Sequence, residues 1–306
     1  FNTWDGIRLH DSSNNNMIQE NVANANGGRG ICLLSSDNNI VSGNTASSNT
    51  WHGISLEISS NHNIVSNNVL TKNEHGVLMV SAYHNVVSDN VVKDHLRDGV
   101  ILYSSSNNSI FGNNITNNGY GIGLHYSSNN IVSYNIAASN TWDGILISDS
   151  SNYNIVSSNE ASHNFEGISV QFSYGNKLEG NLAVSNSYCG IHLVESENTI
   201  VQMNTLPLND EGGIILHDSN NNVIEENTEK DNLYGIALVR SNNNKIETNT
   251  ITHNTYGVLL LESSEYNTIE RNLAKNNHAG IVLVQSSFNN MEANIVTHND
   301  YGIALV

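Results

Sequence analysis

Two groups of side chains in this sequence have types and spacings that could do chemistry. The first precedes a recurring glycine. Immediately before it stand Asp5, Arg29, His52, His75, Asp98, Tyr120, Asp143, Glu166 and Cys189, and one residue earlier Trp4, Trp51, Glu74, Arg97, Trp142, Phe165 and Tyr188. Four residues after the glycine come His10, Glu57, Tyr103 and His125. Indoles and phenols beside carboxylates equip a sugar site, because ring faces stack on pyranose C–H surfaces while acids bond hydroxyls. Trp51, His52, His75, Arg97, Tyr120 and Trp142 are therefore expected to bind carbohydrate. Asp98, Asp143 and Glu166 are the catalytic candidates. Glycoside hydrolysis needs two carboxyls about 5–5.5 Å or roughly 6.5–9.5 Å apart, and one or two strand spacings of about 4.8 Å supply those separations. His52 and His75, with Glu57 or Glu74, could also share a metal, although two solvated imidazoles are the plainer reading.

The second group is an acidic series. One outward position reads Ser42, Ser66, Ser88, Gly112, Ser133 and Ser157, then Glu179, Gln202, Glu225, Glu247, Glu270 and Glu292. Hard cations take carboxylate oxygens, so Glu225, Glu247, Glu270 and Glu292 are candidates for weak calcium binding. The competing reading is an acidic solubilising face, its repulsion relieved by Lys177, Lys245 and Arg271. No other cofactor is called for.

These residues must be positioned by a repeat. A glycine followed by Ile or Val recurs from Gly6 to Gly302 at intervals of 22 to 24 residues, fourteen times. Each unit continues with Ser six residues later (Ala82 excepted), an Asn, an apolar residue, a second Asn, and a third Asn for which His95 is the single substitute. Apolar residues alternate at period two, which specifies short strands and no helix. One such unit cannot bury its apolar face alone, whereas stacked units pair every strand with its neighbours. The sequence thus predicts an all-β chain: a parallel β-helix of about thirteen coils, with Ile31, Leu33, Val41, Ala46 and their equivalents inward. The second Asn, from Asn21 to Asn294, is expected to form an inward ladder and to take left-handed backbone at a corner.

Composition limits the function classes. The chain has 56 asparagines among 306 residues, one proline, and a net charge of −18. Nucleic-acid binding is not expected, since phosphate contacts need a basic surface. No apolar run approaches membrane-spanning length. Cys32 and Cys189 lie seven coils apart, too far for a disulfide. No linker divides the chain, so residues 1–306 are expected to form a single β-helix domain. It begins and stops inside a repeat unit, which suggests an excerpt of a longer protein or end-to-end stacking of neighbouring molecules. Outward apolar residues at Leu259, Leu261, Val282 and Val284 offer a second face for self-association.

The pattern Gly-Ile-x-Leu-x-x-Ser-x-x-Asn-x-Ile-x-x-Asn resembles the right-handed β-helix repeats of the NosD-like and the carbohydrate-binding and sugar-hydrolase families, and of archaeal cell-surface proteins. The resemblance spans the chain and rests on ladder and core residues. It implies an extracellular, cell-surface or periplasmic setting and a carbohydrate connection. Copper, associated with NosD, is not carried over, because Met17, Met79, Met203 and Met291 form no cluster with His or Cys. The sequence also lacks the Asp-Pro-His-Glu motif of mannuronan epimerases and the Asn-Thr-Asp and Gly-His-Gly motifs of polygalacturonases. The expected role is a scaffold displaying a polysaccharide-facing edge. The alternatives are a polysaccharide hydrolase, lyase or epimerase, and a purely structural surface-layer or filament subunit.

Overall fold

The computed structural model describes all residues, 1–306, as an all-β parallel solenoid of about thirteen turns without helices. Chain packing groups them into two compact units, residues 1–155 and 156–306. In each unit a turn contributes three short strands, one to each of three parallel sheets. In the first unit one turn gives Ile54–Glu57, Ile64–Ser66 and Val69–Thr71. In the second a turn gives Gly212–His217, Val223–Glu225 and Thr228–Lys230. Register is in phase with the repeat: Val100 pairs Ile122 and Leu102 pairs Leu124 in the first unit, and Ile191 pairs Ile214 and Leu193 pairs Leu216 in the second. The expected inward residues Ile31, Leu33, Val41 and Ala46 are all fully buried. Burial of each large one contributes roughly 1.5–3 kcal/mol. No helix is long and apolar enough to cross a membrane. Cys32 and Cys189 are buried thiols outside any disulfide.

The asparagine ladders form as expected, with one correction. Asn68 turns inward; its Nδ2 donates to Asn90 Oδ1 (3.0 Å) and to the Val41 carbonyl (2.9 Å), while its backbone N–H donates to the same Asn90 Oδ1 (2.9 Å). Asn227 repeats this in the second unit with Asn249 and the Val201 carbonyl. The left-handed residue, however, is the one before the ladder asparagine: Gly43, Asn67, Asp89 and Gly112 have φ of 67°, 56°, 57° and 66°. The ladder residue needs its side chain aimed into the coil, and the preceding residue makes the corner that aims it. At the outermost turns Asn21 is exposed and Asn294 half-buried, while the equivalents between them within each unit are buried.

Two interior positions depart from the pattern. His95 stands in for the third Asn, and its ring reproduces the amide: Nδ1 accepts the Asn73 backbone N–H (3.1 Å) and Nε2 bonds the Leu70 carbonyl (3.1 Å). Nδ1 must therefore stay unprotonated, and burial pulls the imidazole down to about 4. Glu229 replaces an apolar inward residue, pairing with Leu206 on one side and Ile251 on the other. It is fully buried, and neither carboxyl oxygen reaches a partner beyond its own residue. Burial raises its pKa well above the ordinary 4.5, so the folded chain holds it neutral.

The two groups bias stability in opposite directions. Between about 6.5 and 4 the unfolded chain protonates His95 and the folded chain does not, so that stability is present above 6.5 and lost as pH falls. His95→Asn should remove up to about 3 kcal/mol of this acid sensitivity, read from denaturant midpoints at pH 7 and pH 4.5. For Glu229 the unfolded carboxyl ionises above 4.5 while burial keeps the folded one protonated to higher pH, so stability is lost as pH rises above 4.5. Glu229→Leu should raise Tm at pH 7 and lose that advantage near pH 4; an equal gain at both would point to packing alone.

Candidate functional site

The site begins with the edge of the first sheet, where the residues ahead of each glycine form an extra ladder. In the first unit Trp51 N donates to the Gly28 carbonyl, Glu74 N to Trp51, Arg97 N to Glu74, and Trp142 N to Gly119 (2.6–3.1 Å). These positions face out: Trp51 and Trp142 are exposed, as is the Arg97 side chain. The next position does the reverse. Asp5 Oδ1 accepts the Arg29 N–H (2.8 Å), His75 Nδ1 accepts the Asp98 N–H (3.3 Å), and Asp98 Oδ1 accepts the Tyr120 N–H (3.4 Å). Side chains here fold back over the next turn to satisfy its backbone. His75 and Asp98 are consequently buried; Asp143 and Glu166 are buried as well, Glu166 against the His192 ring and not a backbone donor, which corrects the expectation of an outward row of acids. Asp98 sits against His75 (3.2 Å), and Glu166 lies in the second unit with His192 (2.8 Å).

Between turns the first unit opens a groove of about 310 Å³, lined by Leu96, Arg97, Asp98, Tyr103, Gly119, Tyr120, His125 and Trp142. It contains four of the residues singled out for binding or catalysis: Arg97, Asp98, Tyr120 and Trp142. Gly119 makes it. On the outward column it falls between Arg97 and Trp142, whose backbones lie about two strand spacings apart, and it contributes no side chain between guanidinium and indole. A Cβ at Gly119 would also come within 2.9 Å of the Arg97 carbonyl oxygen. In the groove Tyr103 and His125 stack with ring centroids 5.0 Å apart. His125 Nδ1 lies 3.0 Å from Asp149 Oδ2 and 2.8 Å from Ser148 Oγ. The His125 hydrogen bond holds the Asp149 carboxyl below its usual range, and burial pushes the Tyr103 phenol up. Asp149 escaped the sequence reading because it lies one residue beyond the repeat positions compared, and Ser148, in the same column as Tyr103 and His125, because a small hydroxyl did not stand out there; Gly119 was legible as a gap in a column of large residues.

Trp51, His52 and His75 gather outside that groove's lining. The Arg29 guanidinium lies over the Trp51 ring (5.2 Å) and pairs with Glu57 (2.9 Å). The His52 and His75 rings are 5.2 Å apart, with Glu74 beside His52 at 3.9 Å. Burial, with help from His75 and Arg29, lowers His52 to about 3, so it is neutral.

Comparison with known proteins places this geometry. Three overlapping stretches, residues 96–206, 124–272 and 184–306, match the family described as "Right handed beta helix region". The chain belongs to the right-handed β-helix family. Residues 1–141 of this β-helix also match "Periplasmic copper-binding protein (NosD)". Among curated proteins no sequence matches the chain. Among solved structures it is similar to the Azotobacter vinelandii mannuronan C-5 epimerase AlgE4 A-module (TM-score 0.73, 15% identity, 90% of this chain and 88% of that one). It is also similar to the periplasmic alginate epimerase AlgG in a mutant form (TM-score 0.72, 14%, 93% and 78%), and to DFA-IIIase from Arthrobacter chlorophenolicus A6 (TM-score 0.55, 14%, 65% and 56%). At these identities the likeness is one of fold.

Within residues 1–141 of the β-helix, soft copper ligands do not converge. Met79 is in the core, Met17 is exposed on another strand, and the Cys32 thiol is buried, its pKa raised by that burial. Only His52, Glu74 and His75 group closely enough to hold an ion, without sulfur.

The acidic series of the second unit stacks in register, Glu225 to Glu247 to Glu270 to Glu292. Glu247 and Glu270 already face cations: Lys245 and Arg271 each pair with both. Those pairs hold the Glu247 carboxyl low against the opposing effect of its burial. The apolar outward residues of this unit, Leu259, Leu261, Val282 and Val284, line a cavity of about 500 Å³ with Tyr234, Tyr256 and Tyr301. Calcium at the column has to displace cations in place. Lys245→Gln combined with Arg271→Gln should therefore enlarge the Tm gain from millimolar Ca²⁺ over sodium chloride of equal ionic strength; an unchanged gain would mean screening alone.

Proposed function

We propose that this β-helix is an extracytoplasmic scaffold that binds polysaccharide in the groove between Arg97 and Trp142. One observation carries the reading: a groove of about 310 Å³ at Gly119 is lined by an exposed indole from one turn and a guanidinium from another. Trp142 offers a face for C–H stacking, Arg97 a fork for a carboxylate or paired hydroxyls, and Tyr120 a further phenol. Support comes from the fold neighbours, whose titles name epimerases of mannuronan and alginate, and from the periplasmic description of both NosD and AlgG.

A second reading, a polysaccharide-modifying enzyme, is favoured by one feature of the same groove. His125, held by Asp149, sits beside the Tyr103 phenol, an arrangement able to take a proton from a bound sugar and return one. The buried Asp98 and Asp143 do not supply the exposed acid pair that hydrolysis needs, so this reading concerns proton abstraction, as in a lyase or epimerase.

Binding is measured by calorimetry against a panel of charged and neutral oligosaccharides, with melting as the control. Trp142→Ala should weaken binding about two- to twelvefold, from loss of roughly 0.5–1.5 kcal/mol of stacking, with Tm unchanged because Trp142 supports no core column. His125→Gln then separates the readings: a binder keeps most of its affinity, whereas an enzyme loses formation of unsaturated uronides or inverted residues. Affinity unaffected by Trp142→Ala across the panel would leave a purely structural scaffold.

A further inference from the structure

A different cluster lies in the second unit, where Glu166 and Cys189 occupy the position before the glycine in consecutive turns, joined by the Gly167 N–H to Cys189 carbonyl bond (2.9 Å). His192 stands three residues beyond Cys189 on the same strand, Cys189–Val194. One carboxylate oxygen, the thiol sulfur and one ring nitrogen lie within 4.8 Å of one another, all from buried residues. His192 bonds Glu166 Oε1 through Nδ1 (2.8 Å) and His217 Nδ1 through Nε2 (2.8 Å).

We propose that Glu166, Cys189 and His192 form a binding site for a Zn²⁺-type divalent cation, with His217 as the outer partner that orients His192. The donor set of one sulfur, one nitrogen and one oxygen is the mixture zinc accepts, and it excludes Ca²⁺ and Mg²⁺, which require oxygen ligands. Thiolate and carboxylate together balance a divalent charge. An independent sign that something is to be bound is Glu166 Oε2, which has no hydrogen-bond partner although the residue is only 6% exposed. A carboxylate oxygen taken from water without a partner is costly, and a cation would satisfy it. The outer arrangement also fits. With Nδ1 given to the metal, the Nε2–H donates to His217, the hydrogen bond that commonly fixes a ligating imidazole. Ile215, Ala237 and Tyr234 pack beside Cys189, and Tyr188 meets His192 edge-on, forming an apolar wall that limits solvent. On binding, the Cys189 S–H bond breaks, its proton leaves to solvent, and a metal–sulfur bond forms, so affinity must rise with pH.

Two features separate this group from His52, Glu74 and His75 of the first unit, where the orphaned atom is His52 Nδ1: the thiol, and an orphaned atom that is a carboxylate oxygen.

The test uses the full 306-residue chain with Co²⁺ as reporter and Zn²⁺ as competitor. Co²⁺ should produce a sulfur-to-cobalt charge-transfer band that Zn²⁺ abolishes, present in Cys32→Ser and His75→Ala and lost in Cys189→Ser. His217→Ala should weaken Zn²⁺ about 10–100-fold, as expected for an outer partner, and Glu166→Gln at least as much. The proposal is overturned if the folded protein shows no such band, or if the band survives in Cys189→Ser. Should Cys189→Ser not fold, Glu166→Gln decides: Zn²⁺ affinity equal to that of the native chain overturns the site.

Discussion

One amide meeting the next, a turn away, is the constraint on which this molecule rests. In the ladder that runs through Asn68 and Asn90, the oxygen accepts two N–H groups from the neighbouring turn, one backbone and one side chain, and the Nδ2 that donates to both the next amide and a buried strand carbonyl is fully used. A buried polar group left unpaired costs the full desolvation penalty, so a turn that slipped by one residue would strand donors in every column and turn apolar residues outward. The ladders thereby hold the turn at 22 to 24 residues, and the apolar columns supply the favourable burial that makes stacking worthwhile.

Once the interior is fixed, turns can differ from one another at the edge positions, and they differ by small departures. A glycine where neighbouring turns carry Arg97 and Trp142 opens a groove without disturbing a core column. At the adjacent position acids and histidines are drawn into the edge ladder, where Asp5, His75 and Asp98 each accept the next turn's backbone N–H. That use of carboxylates as structural acceptors is why so acidic an edge presents so little exposed acid.

The interior holds two exceptions, for different reasons. His95 succeeds because a neutral imidazole has an acceptor and a donor on opposite sides, matching the amide it replaces. Glu229 has no such match and persists by remaining protonated among Leu206 and Ile251.

The sequence alone determined the repeat, the parallel stacking, the inward columns and the ladder asparagines from Asn44 to Asn272, because each recurs at fixed spacing and periodicity two leaves one solution. It also placed Arg97, Tyr120 and Trp142 on one edge. Only the tertiary structure decided which edge residues face water: Trp142 and Asp143 are neighbours in sequence, yet one is exposed and the other buried. Likewise it alone brought Tyr103 onto His125 and His192 between Glu166 and His217. These contacts join residues 22 to 26 apart, and whether two such side chains touch depends on rotamers that repeat spacing does not encode.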